Sequence, residues 1–269
     1  MTRIIQISDP HIVPNGQLAY GQVDTAAALA SCVKTVNRLL PEIGPVDLAI
    51  VTGDITDFGT KEEYQLFREI MEPLKLPYRA IPGNHDNVVN MRASFSDQSW
   101  MPSTGPINWT IEFDDLVLIA LDSSIAGQAH GNLSDETLSF LANTLELQKG
   151  LPVLVALHHP PITTGIEKMD IQNLRESAKL EEVLSSYSGE LRLICGHVHR
   201  NIVASFGSII CQIAPGVSHA VSMDLRSGAP NCLTKEPGGV LLHETRSGIV
   251  THHIPTGQFA GPFLFYPNG

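Results

Sequence analysis

The sequence predicts an α/β protein built from two packed sheets, and three observations lead to this prediction. In the first half of the chain, short apolar runs typical of buried strands alternate with segments that carry an apolar helical face. After Arg200 the helical segments stop and strand-like runs follow one another. The 269 residues are 43% hydrophobic and 17% charged, a composition that allows a sizeable core without disulfide bonds.

Helices are predicted at four places. Asp24 begins the first, whose apolar side chains recur at intervals of four, three and four residues, and Pro41 and Gly44 are predicted to end it. Thr60 and Glu63 form a capping box at the start of the second. The other two are predicted from Ser134 onward and over Leu180 to Tyr187.

Strands fill most of the remaining chain. Buried strands are predicted at Ile4 to Ser8, Leu48 to Thr52, Tyr78 to Ile81, Val153 to Leu157 and Leu191 to Cys195. A hairpin is predicted over Trp109 to Phe113 and Leu116 to Leu121, and antiparallel strands at Ile202 to Phe206, Ile209 to Ala214, Val240 to Glu244 and Ile249 to Ile254. Residues 1–269 are therefore predicted to form one domain, in which the irregular stretch at about 217–239 is an insertion that caps a site.

The composition also restricts the classes of partner. The chain has 17 Lys and Arg against 28 Asp and Glu, a net charge of -11, which disfavours binding to a nucleic-acid polymer. The four cysteines contain no C-x-x-C pair, so neither a disulfide framework nor a cysteine zinc site is predicted. No charged segment leads into a long apolar run at the N-terminus, and no apolar run is long enough to span a membrane. We therefore expect a cytoplasmic protein with no membrane contact.

Five polar clusters each follow a predicted strand. They are Asp9-Pro10-His11, Gly53-Asp54, Gly83-Asn84-His85-Asp86, His158-His159-Pro160-Pro161 and Gly196-His197-Val198-His199. Ligands of open α/β sheets bind beyond the carboxyl ends of the strands. Gly, Asn, Asp and Pro are also common in turns, but five clusters rich in ligand-type residues at equivalent strand ends predict one convergent site.

The residue types in these clusters indicate a metal centre. They offer His nitrogen and carboxylate or amide oxygen but no thiolate, which suits divalent Mn, Fe, Co or Zn. A single catalytic zinc usually takes three protein ligands. The larger number of candidates here suits two divalent ions that share a bridging carboxylate.

In this order, the motifs D-x-H, G-D, G-N-H-D, H-H and G-H-x-H resemble those of the calcineurin-like metallophosphoesterase superfamily, and they span residues 9–199. The chain is most similar to the class III phosphodiesterases, which include cyclic-nucleotide phosphodiesterases and a glycerophosphodiesterase branch. Further similarities lie in Ser8 to His11, Tyr20-Gly21, Glu62 to Tyr64 and Pro82 to Asp86. Pro215-Gly216 with His219, and Ala260-Gly261-Pro262, resemble the glycerophosphodiesterase branch in particular.

The resemblance implies a four-layer α/β/β/α sandwich of two mixed sheets and a role for each motif residue. Asp9, His11 and His199 would hold the first metal, Asn84, His158 and His197 would hold the second, and Asp54 would bridge the two. His85 would act with Asp54 as a catalytic residue and face the phosphate. Tyr20 and His219 are expected to contact substrate or a metal ligand, and His159 is expected to be structural.

Three positions depart from related branches of the superfamily. Asp57 stands where purple acid phosphatases carry a tyrosine, so a tyrosinate–iron(III) site is not expected. Phe58 stands where phosphoprotein phosphatases carry an arginine that grips phosphate, and Asp86 replaces their glutamate. Protein phosphatase activity is therefore not expected either.

The resulting hypothesis is a dinuclear metal-dependent phosphodiesterase in which a metal-bound hydroxide attacks a small phosphodiester, either a glycerophosphodiester or a 3′,5′-cyclic nucleotide. Two divalent ions, two carboxylates and one hydroxide leave a charge of about +1, which attracts a phosphodiester monoanion. The alternatives are a phosphomonoesterase on the same fold and a non-catalytic scaffold, and the complete set of ligands argues against the scaffold. We expect a homo-oligomer, with residues 217–239 taking part in the subunit contact.

Overall fold

A computed structural model describes residues 1–148 and 150–266 of the chain. The strands within these residues are β1 (Arg3–Ile7), β2 (Leu48–Thr52), β3 (Tyr78–Ile81), β4 (Trp109–Glu112), β5 (Val117–Leu121), β6 (Val153–Leu157), β7 (Leu191–Cys195), β8 (Ile202–Phe206), β9 (Ile209–Ile213), β10 (Ala220–Val221), β11 (Leu233–Thr234), β12 (Gly239–Thr245) and β13 (Ile249–Pro255). The helices are α1 (Thr25–Ile43), α2 (Lys61–Met71), α3 (Val88–Ser94), α4 (Asp135–Leu147), α5 (Glu167–Asp170) and α6 (Ser177–Ser185).

Two mixed sheets form the centre of the molecule. The first has the strand order β13-β12-β1-β2-β3, in which β1, β2 and β3 are parallel and β12 pairs antiparallel with β1. The second has the order β4-β5-β6-β7-β9-β8, in which the four central strands are parallel and both edge strands are antiparallel. Strands from the C-terminal part of the chain therefore belong to both sheets, β12 and β13 to the first and β8 and β9 to the second.

The alternation of side chains along β5 shows how the layers stack. Val117, Ile119 and Leu121 belong to an apolar cluster that includes side chains of α4 and α6, whereas Leu118 and Ala120 join the cluster that contains the first sheet. Successive residues of a strand point to opposite faces, so β5 is covered by helices on one face and by the first sheet on the other. Helices α1, α2 and α3 pack in succession beside the first sheet. The predicted four-layer α/β/β/α sandwich is confirmed.

Local sequence signals predicted most helix ends correctly, but some ends differ from the prediction. Thr60 and Glu63 make the reciprocal hydrogen bonds of the predicted capping box. The prediction that Pro41 ends the first helix is wrong, because Pro41 lies inside the last turn of α1 and the helix continues to Ile43. A proline there removes one N–H from the helix near its end, and Gly44, with φ 79°, closes it by donating to Leu40.

Two short helices were not predicted. Helix α3 is seven residues long and follows Asn87, whose side chain accepts a hydrogen bond from the N–H of Asn90. Helix α5 has four residues. Neither is long enough to show a helical repeat of apolar side chains. The stretch at 217–239, predicted as irregular, contains the two-residue strands β10 and β11, which pair with each other.

Candidate metal centre

The seven predicted metal ligands lie at the carboxyl ends of strands from both sheets. Asp9 and His11 follow β1, Asp54 follows β2 and Asn84 follows β3, all in the first sheet. The second sheet contributes His158 after β6 and His197 and His199 after β7. All of these strands except β3 are central in their sheets, so the loops that carry the ligands meet where the two sheets face each other.

The backbone of this site is strained at most of these positions. Positive φ angles between 47° and 75° occur at Asp9, His11, Asp54, His197 and His199. A left-handed backbone costs a non-glycine residue about 1–2 kcal/mol, and such strain is typical of functional sites. The tight turns are also crowded, since a Cβ atom on Gly83 would lie 2.2 Å from Asp54 Oδ1 and one on Gly196 would lie 2.3 Å from Ser8 Oγ. The glycines of the motifs are therefore required by the packing of the ligands.

Four side chains converge in the first half of the site. The Nε2 atoms of His11 and His199 are 3.0 Å apart. His199 Nε2 lies 3.4 Å from Asp9 Oδ1, and His11 Nε2 lies 3.4 Å from Asp54 Oδ2. All four side chains are buried.

The second half of the site lies on the other side of Asp54. His158 Nε2 is 3.2 Å from Asn84 Oδ1 and 3.3 Å from His197 Nδ1. It also lies 3.3 Å from Asp54 Oδ2, the same oxygen that faces His11. One carboxylate oxygen thus stands between the two groups of side chains.

These side chains fit a divalent cation. Asp9 Oδ2 is buried and accepts no hydrogen bond within the described chain, an arrangement that costs free energy unless a cation lies nearby. Oxygen and imidazole nitrogen are donors that divalent first-row metals accept. Asp9, His11, Asp54 and His199 each offer one such atom, and these atoms lie within 4.8 Å of one another.

Burial and neighbouring charges shift the proton affinities of the site in opposite directions. Burial alone would raise the pKa of Asp54, but electrostatic interactions with the imidazoles of His158, His85 and His11 hold it well below its usual range. Burial raises the pKa of Asp9 to about 6. Burial would lower the pKa of His158, but the charge of Asp54 raises it to about 9. Asp54 is therefore the carboxylate that stays ionised most firmly.

His85 lies beside this site and is partly exposed. Its backbone N–H donates to Asp54 Oδ1 at 2.9 Å, and its Nδ1 lies 2.9 Å from the carbonyl oxygen of Asp57. The imidazole of His85 packs edge-on against that of His11, with ring centroids 4.6 Å apart. Because Nδ1 is occupied by the Asp57 carbonyl, Nε2 is the nitrogen that is available to a bound molecule.

Asp57, which the sequence marks only as a departure from tyrosine, also belongs to the site. Its carboxylate lies 3.0 Å from His11 Nδ1 and accepts a hydrogen bond from the Tyr20 hydroxyl at 3.1 Å. A carboxylate behind a ligating imidazole fixes its tautomer and orientation. The spacing G-D-x-x-D, with Asp57 three residues after Asp54, was the available signal.

Asp86 holds two ligand loops together. Its carboxylate accepts hydrogen bonds from the backbone N–H groups of Ile55, Thr56 and Gly83. The loop after β2 is thereby fixed to the loop after β3. Asp86 therefore supports the turns that carry these two clusters of candidate ligands.

The structure places the remaining predicted residues around the same site. Tyr20 is about half exposed, and its ring lies 5.5 Å from that of His219. The His219 ring lies 4.6 Å from that of His199. His159 is buried, with Nδ1 2.9 Å from Ser123 Oγ.

A cavity of about 320 Å³ opens over these side chains. Its lining includes the candidate site residues His11, Asp54, Asn84, His85, His197, His199, Tyr20 and His219. The other lining residues are Met169 and Gln172 near α5, and Val221, Asn231, Cys232 and Leu233 of the 217–239 segment. No Lys or Arg is among these lining residues.

Among the described residues, no helix combines the length and the apolar character that crossing a bilayer requires. The cytoplasmic location stays a prediction.

The chain matches the model of the calcineurin-like phosphoesterase family over residues 2–201. The chain belongs to this family. Family membership and the cluster of His and Asp side chains together identify a divalent metal centre. The predicted resemblance to the superfamily and to its class III phosphodiesterases is confirmed.

Curated relatives cover nearly the whole chain. A protein of Arcobacter nitrofigilis named "Probable glycerophosphodiester phosphodiesterase GpdQ" is 42% identical over 266 residues, which cover 98% of this chain and 96% of the relative. The Haemophilus influenzae protein named 3′,5′-cyclic adenosine monophosphate phosphodiesterase CpdA is 32% identical over 266 residues, covering 99% of this chain and 93% of the relative.

The fold is also found in solved structures. A dimetal phosphatase from Danio rerio superimposes with a TM-score of 0.62 at 14% identity, covering 95% of this chain and 99% of that one. At this identity the similarity demonstrates a shared fold only.

Proposed function

We propose that this member of the family is a metal-dependent phosphodiesterase that acts on small phosphodiesters, with glycerophosphodiesters as the substrate class. The observation that carries the proposal is the position of Asp54 Oδ2, which lies 3.4 Å from His11 Nε2 and 3.3 Å from His158 Nε2. One ionised carboxylate therefore serves two adjacent groups of metal-binding side chains. The 42% identical relative supports glycerophosphodiesters, and the relative named as a cyclic-nucleotide enzyme supports 3′,5′-cyclic nucleotides as the second candidate.

The ligand assignment follows the two halves of the site. Asp9, His11 and His199 would hold one ion, Asn84, His158 and His197 would hold the other, and Asp54 would bridge them. Divalent Mn, Fe, Co or Zn fits these donors. Two such ions, when bound, make water more acidic and neutralise charge that develops on phosphate oxygens.

The ligand set keeps the site positive toward an anionic substrate. Asp9 and Asp54 are its two carboxylates, and Asn84 and the imidazoles bring no negative charge. No Lys or Arg lines the described cavity, so the attraction for a phosphodiester comes from the loaded site. This attraction operates over a short range, which allows the chain as a whole to carry a charge of -11.

His85 is proposed to orient the phosphate or to protonate the leaving alkoxide from Nε2. Its position supports this role, because the Asp57 carbonyl holds Nδ1 and the Asp54 carboxylate holds the backbone N–H. Asp57 and Tyr20 would act indirectly. The Asp57 carboxylate contacts His11 Nδ1 and accepts from the Tyr20 hydroxyl, and His11 Nε2 would then be the nitrogen that binds the first ion.

Residues 217–239 are proposed to cap the site and restrict it to small substrates. Val221, Asn231 and Leu233 line the same cavity of about 320 Å³ as the candidate metal ligands, and this volume is at the lower end of the range for small-molecule sites. The homo-oligomer, with this segment in the subunit contact, stays a prediction, and light scattering that finds a monomer would contradict it.

The deciding experiment compares hydrolysis of bis(p-nitrophenyl) phosphate with that of p-nitrophenyl phosphate by metal-depleted protein before and after addition of Mn(II). We expect a preference for the diester that appears only with Mn(II). Asp54→Asn should abolish it, whereas the matched variant Asp97→Asn, which changes an aspartate paired with Arg68 on the surface, should not. A preference for the monoester would identify a phosphomonoesterase, and no metal-dependent turnover would favour the scaffold. Glycerophosphoethanolamine and cyclic AMP would then separate the two substrate classes.

A further inference from the structure

A buried glutamine joins three of the strands that carry the metal-site loops. Gln6 is fully buried near the end of β1. Its Nε2 donates to Thr52 Oγ1 at 3.0 Å and to the carbonyl oxygen of Cys195 at 2.9 Å. Thr52 is the last residue of β2 and Cys195 the last residue of β7. One amide group therefore links two strands of the first sheet to one strand of the second.

These strand ends lead directly into ligand positions. Asp54 follows Thr52 by two residues, and His197 follows Cys195 by two residues. The Thr52 carbonyl lies 2.8 Å from His158 Nδ1, so the same residue also orients a ligand from a fourth strand. The Thr52 hydroxyl lies 2.8 Å from the hydroxyl of Ser8, which precedes Asp9 in the chain.

His243 fixes the orientation of the Gln6 amide. It is buried in β12, and its Nε2 lies 3.0 Å from Gln6 Oε1. Because Nε2 of Gln6 supplies both hydrogen bonds to the neighbouring strands, Oε1 is the acceptor and His243 is the donor. The Thr251 hydroxyl, 2.9 Å from His243 Nδ1, satisfies the other ring nitrogen. The polar side-chain atoms of Gln6 and His243 therefore all have hydrogen-bond partners, which fixes a single orientation of the Gln6 amide.

From these contacts we propose that Gln6 is a positioning residue for the metal centre. Its amide holds the loops after β1, β2 and β7 at the spacing that brings the ligands together, and His243 holds the amide. Gln6, Thr52 and His243 do not line the described cavity. They should therefore govern the affinity for metal without contributing to substrate binding. The inference rests on the proposed function in so far as the loops bind metal.

Two threonines provide a matched test. Thr52→Val removes the hydroxyl that connects Gln6 to Ser8 and keeps the shape of the side chain. Thr245→Val makes the same change at the opposite end of the first sheet, where the Thr245 hydroxyl donates to Asp115 at 2.6 Å and accepts from the N–H of Thr2 at 2.9 Å. Both hydroxyls are buried in the folded chain, but only that of Thr52 belongs to the proposed network.

The measurement is the titration of metal-depleted protein with Co(II), followed by visible absorption, on the wild type and on Gln6→Leu, Thr52→Val and Thr245→Val. Changes around metal ligands typically weaken metal binding 10–100-fold. We expect a loss in this range for Gln6→Leu, about a tenfold loss for Thr52→Val and no change for Thr245→Val. At saturating metal, the KM for bis(p-nitrophenyl) phosphate should be unchanged in all three variants.

The possible results separate this inference from the proposed function. Equal Co(II) affinities of Thr52→Val and Thr245→Val would overturn the inference while leaving the phosphodiesterase proposal intact. Wild-type protein that takes up no Co(II) would overturn both. Should Gln6→Leu fail to fold, Thr52→Val decides the question, because valine has nearly the same shape as threonine and Thr245→Val controls for the loss of a buried hydroxyl.

Discussion

The Nε2 atoms of His11 and His199 face each other at a distance of 3.0 Å. At most one proton can lie between two such nitrogens, whereas a cation can accept both lone pairs. A separation of 3.0 Å fits a hydrogen bond through one shared proton. It is also compatible with the proposed binding of both nitrogens to the first metal ion.

Metal should therefore stabilise the folded chain. A site that exists only in the folded state adds about 2.7 kcal/mol when the free metal is a hundred times the Kd, which corresponds to a rise in Tm of about 5 °C or more for a chain of this size. Calorimetry of the chelated protein with and without Mn(II) measures this rise. It should be smaller for His199→Ala, and the same Tm with and without Mn(II) would contradict the assignment.

Replacing His85 by alanine should slow the enzyme according to the leaving group. A general acid accelerates the reaction about 10²–10⁴-fold when it protonates the leaving group. Nitrophenolate is a stable anion and leaves without being protonated. We expect a loss of turnover in this range with an alkyl diester and a much smaller loss with bis(p-nitrophenyl) phosphate. His253→Ala, which changes an exposed histidine on β13, serves as the control. Equal losses with both substrates would leave His85 with an orienting role only.

Asn84→Asp should have opposite effects on metal and substrate. The added carboxylate, beside His158, strengthens the attraction for a divalent ion but removes one unit of positive charge from the loaded site. We expect tighter binding in a Mn(II) titration and a higher KM for phosphodiesters. Looser metal binding would show that the amide of Asn84 is needed for the geometry of the site and not for its charge.

Burial lowers the pKa of His243 from 6.5 to about 3, with a smaller contribution from the charge of Arg192. Above about pH 6.5 this histidine is neutral in both the folded and the unfolded chain and has no effect on stability. Below that pH the His243 imidazole is protonated in the unfolded chain but stays neutral in the folded chain. The free energy of unfolding therefore falls by up to about 1.4 kcal/mol per pH unit until about pH 3. Urea unfolding of the wild type and of His243→Gln at several pH values between 7.5 and 5 should show a shallower decline in the variant. Parallel declines would contradict the prediction.

Much of the fold, and the convergence of the candidate ligands at one site, could be predicted because the signals are local. The capping box at Thr60 and Glu63 lies within one turn, and each ligand cluster directly follows an apolar run that forms a strand. Contacts between distant segments could not be predicted in this way. Gln6 and His243 are 237 residues apart in sequence, and they meet only because β12 returns to pair with β1. Asp57 could be placed near Asp54 by spacing, but its contact with His11 depends on how two loops fold against each other.

The left-handed backbone at Asp9, His11, Asp54, His197 and His199 has a consequence for laboratory evolution of this protein. Glycine would relieve the strain at each of these positions when metal is withheld. Screening a mutant library for heat resistance in the presence of a chelator would therefore enrich substitutions at the positions that are proposed to bind metal. Selection for thermostable variants should instead be carried out with metal present throughout. The left-handed backbone and the candidate ligand side chains are then both kept.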